Sequence, residues 1–394
     1  MLVPTLAATA ALFTTSAHAW GAAGHEIVAT IAEIHLHPPV LAFLRSDSSL
    51  IPDYAKGHLA PIATWPDRIR MVPEYRGWSG QLHYGSWDGD HPPQVCSWPG
   101  TGDGTDDEGG KGRWHSDNDV IHAVANYTSR LETNPHELRS SPSQPLEFPT
   151  DPPSRLVRSW ESLRFLVHFL GDIHQPLHLT SRERGGNGDP VLWEGRRTNL
   201  HSLWDGLLIA RALREQSNYT SPLPSQQIES ALMGRIYDPY IRLLLWEGVR
   251  TWWRTSLPGW FTCSPSSSAL SPSPTPPHPA QLVLGAGPAK ATVCPVTWAT
   301  ETHKTTCEMG FPDGYDEHGA PVEAGGKSEF YRRIRDSLTV ERLLTQAGLR
   351  LAATLNTVLG PVAAAAADEA GLDGRMHEGV LNLSWLEEAE REAW

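Results

Sequence analysis

The sequence predicts a mainly α-helical protein in which long irregular loops join several helices, with one short β-hairpin. Apolar residues recur at helical spacing in three separate stretches. Runs that alternate apolar and polar residues are scarce. Three further segments have the composition of surface loops or linkers. Together these observations indicate one helical domain with extended connections.

The three apolar stripes define the principal helices. Their steps of three and four residues place each set on one helix face. Another helix is expected over 227–253, with a kink or break at Pro239. A hairpin is expected over 191–197, after the Gly-Gly-Asn-Gly turn at 185–188. The stripes are Ile27, Ile31 and Ile34; Leu156, Trp160, Leu163, Val167 and Leu170; and Leu344, Ala347, Leu351, Leu355 and Val358.

Residues 1–19 have the composition of a signal peptide. They contain no charged side chain, and an apolar stretch precedes a small-x-small end at Ala17-His18-Ala19. A buried first helix is the alternative interpretation. Cleavage after Ala19 would make Trp20 the N-terminus of a secreted protein, in which four cysteines form two disulfides. Their spacing leaves all three pairings of Cys96, Cys263, Cys294 and Cys307 open.

The mature chain is expected to form one domain over about 20–360. A Gly- and Asp-rich segment at 100–112, a Ser/Pro-rich insertion at about 264–279 and a tail at 361–394 read as loops or linkers. None of them has the apolar content for a second core. Three Asn-x-Ser/Thr sequences are expected glycosylation acceptors, at Asn126, Asn218 and Asn382.

The charge of the chain excludes one class of function. The 394 residues carry 45 acidic and 32 basic side chains, a net charge of −13. A basic domain that coats duplex DNA by charge alone is therefore excluded. Nucleic acid remains possible as a substrate, because a metal cluster can supply local positive charge. No apolar run near 18 residues follows the signal segment, so no membrane span is expected.

Two His-x3-Asp motifs, His168 to Asp172 and His201 to Asp205, carry the chemistry. Residues four apart share one face of a helix, so an imidazole and a carboxylate can bind one metal ion together. A single motif is more often a surface pair, but two of them with His178 nearby indicate a metal site. Asp172 lies in a very apolar helix, where an unpaired carboxylate is costly to bury. A metal cation would compensate it, although an arginine would also serve.

Further ligand candidates lie upstream. In isolation, Asp67 in Trp-Pro-Asp and His83 in Leu-His-Tyr are each better explained by a cap or a loop hydrogen bond than by metal binding. His25 does not open the His-Glu-x-x-His motif of zinc proteases, because residue 29 is Ala.

Taken in order, these pieces resemble the secreted trinuclear zinc nucleases of fungi and plants, the S1/P1 nuclease family. The resemblance implies the mainly α phospholipase C/P1 nuclease fold and three zinc ions per chain. It also implies hydrolysis of single-stranded DNA and RNA to 5′-phosphate products, and of 3′-nucleotides, by a secreted monomer that binds no membrane. The matching pieces are Trp20-Gly-x-x-Gly-His25, Trp65-Pro-Asp67, Leu82-His83, Arg164 to His178, Gly185-Gly186-Asn187 and Asn199 to Asp205.

The same resemblance implies a role for each site residue. One zinc ion would take Asp67, His83, His168 and Asp172, and a second would take His178, His201 and Asp205. The third would take the α-amino group and carbonyl of Trp20, with His25 and a bridging Asp172. An α-amino group of pKa roughly 7.7–8.0 can lose its proton and bind zinc. The resemblance also implies that Asp67, Arg70 and Asp172 are catalytic residues. It implies that Arg70, Tyr84 and Asn187 contact the substrate.

Some assignments have alternatives. The family often has an aspartate where this chain has Ser86, so either Asp88 replaces it or rate and optimum pH differ. Tyr84 would otherwise be core packing, and Arg70 a solvated charge. A zinc phospholipase C is the runner-up function, and a non-catalytic zinc-binding secreted protein the second alternative. Among the other histidines, His174 is the foremost candidate for a residue that contacts the ligands. The remaining ones are expected on the surface or beside the ligands: His35, His37, His91, His115, His122 and His136.

Overall fold

The computed structural model describes residues 20–46, 50–98, 114–133, 159–263, 293–315, 320–377 and 379–392. The predicted signal peptide, the Gly/Asp-rich segment 100–112 and the insertion at 264–279 lie outside these ranges, as do Leu156 and His136.

Helices dominate the described residues, which confirms the mainly α prediction. Short 3-10 turns at Asp53–Ala55, Ala60–Ile62, Ser79–His83 and Pro176–Leu179 and π-helical segments at Leu203–Leu207 and Leu244–Trp252 connect or extend them. The α-helices are α1 (Ala22–Ile34), α2 (Pro38–Ser46), α3 (Trp65–Ile69), α4 (Val120–Thr133), α5 (Ser159–Asp172), α6 (Leu200–Ser202), α7 (Leu208–Glu215), α8 (Gln226–Glu229), α9 (Asp238–Leu243), α10 (Leu257–Trp260), α11 (Pro295–Met309), α12 (Glu329–Asp336), α13 (Thr339–Glu369) and α14 (Ser384–Glu392).

A small sheet leads into the region of the His-x3-Asp motifs. Strands β1 (Pro190–Trp193) and β2 (Arg196–Asn199) pair antiparallel, with Val191 opposite Thr198, which confirms the predicted hairpin. Strand β3 (Val322–Glu323) pairs parallel with β1 and was not predicted, because two residues carry no periodicity. Asn199 ends β2 and caps α6, its side chain accepting from the Ser202 N–H at 2.7 Å.

Helix α13 is the centre of the hydrophobic core. Helices α1, α2 and α5 pack against it, and the described residues of the three predicted stripes are buried or packed on this core. By length and composition α13 could cross a membrane, so the expectation of no such apolar stretch was wrong. However, 72% of its most apolar window is buried inside the protein, as for a core helix.

The expectation of one helical stretch over 227–253, kinked or broken at Pro239, is wrong because the helix is interrupted before Pro239. Helix α8 ends at Glu229, and α9 begins only at Asp238. Pro239 lies in the first turn of α9, where its missing N–H costs no intrahelical hydrogen bond. Pro239 therefore starts a helix and does not kink one.

The prediction of a loop or linker after Gly360 is also wrong. Helix α13 continues through Pro361 to Glu369, because the alanine run has the highest helix propensity. Helix α14 then returns to the body, and Trp385 is completely buried. The described part of the tail is therefore packed structure.

Two histidines expected on the surface or near the ligands hold this tail instead. His35 donates from Nδ1 to the Ile31 carbonyl at 2.7 Å and accepts from Trp385 Nε1 at 3.2 Å. Burial lowers the pKa of His35 to about 4, so the ring is neutral and can accept. His37 is buried beside it and accepts from the His377 backbone N–H.

We expect Trp385→Ala to reduce the free energy of unfolding by about 3–5 kcal/mol, because a fully buried indole leaves a large cavity. Chemical denaturation of the variant measures the loss. Trp252→Ala is the matched control, since that side chain is 38% exposed and should cost much less. Equal losses for the two variants would show that the tail does not stabilise the core.

Two disulfides resolve the pairing that the sequence left open. Cys96 bonds Cys307, and Cys263 bonds Cys294. The first joins the loop that follows His83 to α11. Both are consistent with an oxidising compartment.

Candidate metal centre

Helix α5 presents His168 and Asp172 on one face at its C-terminal end. His168 Nε2 lies 3.3 Å from Asp172 Oδ2, and both side chains are completely buried. The four-residue spacing therefore produces the predicted pair.

Asp67 and His83 join this pair from two other elements. Asp67 lies in α3, and its Oδ1 is 3.9 Å from His168 Nε2. His83 ends a 3-10 turn, and its Nδ1 is 2.9 Å from Asp172 Oδ2. Asp67, His83 and His168 form a group whose ligand atoms could hold one metal ion.

A second group forms where α5 and the sheet meet. His201 lies in α6 and Asp205 in the π-helical segment that continues it, with His201 Nε2 3.1 Å from Asp205 Oδ2. His178 comes from the 3-10 turn after α5, and its ring stacks on His201 at 5.2 Å. These three residues form the second possible metal position.

The third group contains His25 from α1. Its Nε2 lies 3.4 Å from Asp172 Oδ1, and its ring stacks on His168 at 3.7 Å. His25, His168 and Asp172 are close enough to hold an ion. Trp20 is completely buried, and the next residue, Gly21, donates its N–H to the Asp205 carbonyl at 2.6 Å. The predicted mature N-terminus therefore begins beside the second group.

The chemistry of the donors fits metal ions. The rings of His168, His178 and His201 each donate from Nδ1 to a backbone carbonyl, of Ala63, His83 and Gly185 respectively, at 2.5–2.7 Å. This orientation directs each Nε2 into the centre, as in histidine metal sites.

Several polar atoms of the centre are buried without a hydrogen-bond partner, which would be costly in a metal-free protein. Metal ions would satisfy them. The atoms are His25 Nδ1 and Nε2, His83 Nε2, Asp172 Oδ1, His178 Nε2, His201 Nε2 and Asp205 Oδ2.

The electrostatics of the centre are dominated by burial and by Asp172. Burial opposes protonation of His168, but Asp172 and Asp67 outweigh it and raise the pKa of His168 to about 9. Burial also opposes ionisation of Asp172, yet His168 and His83 hold its pKa well below the usual range. Burial lowers the pKa of His178 to about 3, so this ring is neutral. An ionised carboxylate among inward-facing imidazoles attracts cations.

A cleft of about 900 Å³ opens beside the second group. Its lining includes Tyr84 and Asn187, two of the predicted substrate contacts. The Tyr84 ring lies 4.6 Å from that of His178. Arg70, the third predicted contact, follows α3 and is half-buried, and its charge acts on the Tyr84 hydroxyl.

The acidic candidates that follow Tyr84 separate in the fold. Ser86 lines the cleft, and Asp88 pairs at its exposed rim with His115 at 3.1 Å. Asp90 is buried and pairs with His303 at 3.0 Å. Replacement of the family aspartate by Asp88 remains a prediction.

His174 was expected to contact the metal ligands, but its ring makes other contacts. It is buried, donates from Nδ1 to the Leu170 carbonyl and contacts Arg350 through Nε2 at 2.9 Å. It therefore joins α5 to α13. The backbone carbonyls that orient the ligand histidines were missed, because carbonyl positions leave no signature in a sequence.

The position of Gly185, whose carbonyl accepts the hydrogen bond from His201, requires a glycine. Its φ is +66°, and an added Cβ would lie 2.6 Å from the Leu177 carbonyl oxygen. Gly195 has a similar φ of +76° with nothing within 4 Å, so it is a matched control.

We expect Gly185→Ala to lower metal affinity at the second group by about 10–100-fold, because the carbonyl that orients His201 must move. Gly195→Ala should cost only the left-handed backbone penalty, about 1–2 kcal/mol of stability, with metal binding unchanged. Competition with a chelator measures both. Equal affinities in the two variants would contradict this role of Gly185.

A helical fold that brings three groups of buried histidines and aspartates together beside an open cleft is typical of metal-dependent hydrolases. The family model described as S1/P1 Nuclease matches residues 20–257. The chain therefore belongs to the S1/P1 nuclease family, as the sequence motifs predicted, and is a nuclease that hydrolyses phosphoester bonds.

Similar proteins agree with this membership. Endonuclease 2 of Arabidopsis thaliana is 31% identical over 344 residues, 87% of this chain and 91% of the relative. Nuclease S1 of Aspergillus oryzae is 34% identical over 52% of this chain and 59% of its own length. Nuclease P1 of Penicillium citrinum is 32% identical over 54% of this chain and 67% of its own length.

Proposed function

We propose that the chain is a secreted zinc-dependent endonuclease that hydrolyses single-stranded DNA and RNA to 5′-phosphate products and also acts on 3′-nucleotides. The observation that carries the proposal is the position of Asp172. Its carboxylate lies within 3.4 Å of a nitrogen of His25, His83 and His168, so one side chain reaches two ion positions.

The proposed ligand sets follow these contacts. Asp67, His83, His168 and Asp172 would bind one zinc ion, and His178, His201 and Asp205 a second. Trp20, through its α-amino group and carbonyl oxygen, and His25 would bind the third with Asp172. The hydrogen bond from the Gly21 N–H to the Asp205 carbonyl supports a position of the N-terminus beside the three groups.

Charge explains how an acidic protein would attract a phosphodiester. Three zinc ions bring six positive charges, and the three aspartates return three negative ones. Zinc bound here would activate a water molecule and neutralise a phosphate. Asp67 and Asp172 would fix the ions, and Arg70 would hold a phosphate oxygen by charged hydrogen bonds.

The cleft supports the preference for single strands. Tyr84 offers an aromatic face on which a base can stack, worth roughly 1–3 kcal/mol and independent of sequence. A duplex hides its base faces, so only an unpaired strand presents them.

Secretion is supported by the N-terminal composition and by the two disulfides. Among the three possible glycosylation acceptors, Asn218 is exposed. Asn382 is buried and donates to the Leu36 carbonyl, and Asn126 lies within α4. Asn218 is therefore the proposed glycan site.

The protein is proposed to act as a monomer. All residues of the three groups belong to one chain, so no partner subunit is needed to complete them.

Elemental analysis of the mature protein, with cleavage assays on single- and double-stranded DNA, tests the proposal. We expect about three zinc ions per chain and strong preference for the single strand. Products with 3′-phosphate ends, or activity that survives chelation, would contradict it. Hydrolysis of lecithin without hydrolysis of DNA would instead indicate the phospholipase alternative.

A further inference from the structure

A left-handed turn forms one wall of the cleft. Glu183, Arg184, Gly185 and Gly186 have successive φ values of 43°, 59°, 66° and 78°. Residues with a Cβ rarely adopt this conformation, and two of these four have one. Such strain persists only where surrounding contacts determine the backbone, and it concentrates at functional sites.

Several hydrogen bonds fix the turn, and three of them connect it to the residues that follow. The Gly188 N–H donates to the Glu183 carbonyl at 2.9 Å. Asn187 Nδ2 donates to the Arg184 carbonyl at 2.8 Å, and His201 Nδ1 donates to the Gly185 carbonyl. The backbone that carries Arg184 is thereby tied to a proposed metal ligand.

The Arg184 side chain is exposed and lines the cleft. Among the described residues it has no ion pair or side-chain hydrogen bond. It is also the one permanent cation in the described lining of the cleft, where Asp119 and His115 are the other ionisable groups apart from Tyr84. A guanidinium in this position suits a phosphate, which it can bind through two hydrogen bonds.

We infer that Arg184 binds a phosphate of the single strand adjacent to the scissile one, an inference that rests on the function proposed above. The scissile phosphate would lie at the metal groups. These adjoin the cleft, because its lining residues Tyr84 and Gly185 contact His178 and His201 respectively. A cation on the cleft wall then meets the next phosphate along the strand. Arg184 thus favours polynucleotides over 3′-mononucleotides, which have no second phosphate.

Arg184→Gly and Arg184→Lys test this contact, with Arg197→Ala as the control. Glycine adopts the left-handed conformation freely, so Arg184→Gly should keep or raise the melting temperature while it removes the charge. Arg197 is another exposed arginine without a described partner, and it lies outside the cleft lining. The measurements are kcat/KM on a single-stranded oligonucleotide and on a 3′-mononucleotide, and equilibrium binding of a phosphorothioate strand at several salt concentrations.

For Arg184→Gly we expect oligonucleotide kcat/KM and strand affinity to fall about five- to thirtyfold, as for one charged contact. The slope of log affinity against log salt should become shallower by about 0.7, the value for one phosphate of a single strand. Mononucleotide hydrolysis and zinc content should not change, Arg184→Lys should retain the salt slope, and Arg197→Ala should match the wild type.

An unchanged salt slope in Arg184→Gly, or equal losses on both substrates, would overturn the inference while leaving the proposed function intact. A wild-type protein that binds zinc and cleaves no single strand would overturn both.

Discussion

Asp172→Asn should remove two of the three proposed zinc ions and reduce nuclease activity by at least about a thousandfold. The amide keeps the size of the side chain but loses the charge that faces His25, His83 and His168. Each metal ion contributes several kcal/mol of transition-state stabilisation, and 1.36 kcal/mol corresponds to a tenfold change in rate. Elemental analysis and cleavage of single-stranded DNA measure the two effects.

Asp205→Asn is the matched control for this experiment. The Asp205 carboxylate contacts His178 and His201, which belong to the second group alone, so one ion should be lost. The unfolding transition of each metal-free variant shows whether the fold is retained. A folded Asp172→Asn protein that lost only one zinc ion would contradict the bridging position of this carboxylate.

A protein with one extra residue before Trp20 should bind one zinc ion fewer and lose activity about a hundredfold or more. An amide nitrogen cannot replace a free α-amino group as a ligand. Trp20 is completely buried, and Gly21 is bonded to the Asp205 carbonyl, so a free α-amino group at Trp20 would lie close to the centre. Zinc content and activity of the extended and the processed proteins are the measurements.

The same residue added after Trp394 is the control and should change neither quantity. N-terminal sequencing confirms that the extension is retained. Full zinc content and full activity in the extended protein would show that the α-amino group is not a ligand.

Much of the metal centre could be predicted from the sequence. The nine proposed ligands lie in short motifs, and the two His-x3-Asp pairs depend only on the geometry of a helix. The structure brings the eight histidine and aspartate side chains of this set into three adjoining groups. The hairpin and the principal helices followed equally from local periodicity.

The tail was misread for a physical reason. Composition after Gly360 resembles a linker, but an alanine run extends a helix whenever the helix is already supported by a core. The single residue Trp385 then anchors α14 through His35, 350 residues away in the chain. No local pattern reports such a contact.

By itself the sequence indicated which side chains are candidate metal ligands and which helix faces are apolar. The apolar stripes and the two His-x3-Asp pairs repeat at the period of a helix, whereas the other candidate ligands were indicated by the family motifs. The tertiary structure alone showed that the eight histidine and aspartate candidates gather into three groups, and that Nε2 of His168, His178 and His201 faces the centre. It also decided that a strained turn directs Arg184 into the cleft. These features depend on contacts between distant segments, such as the hydrogen bond from His168 to the Ala63 carbonyl across 105 residues.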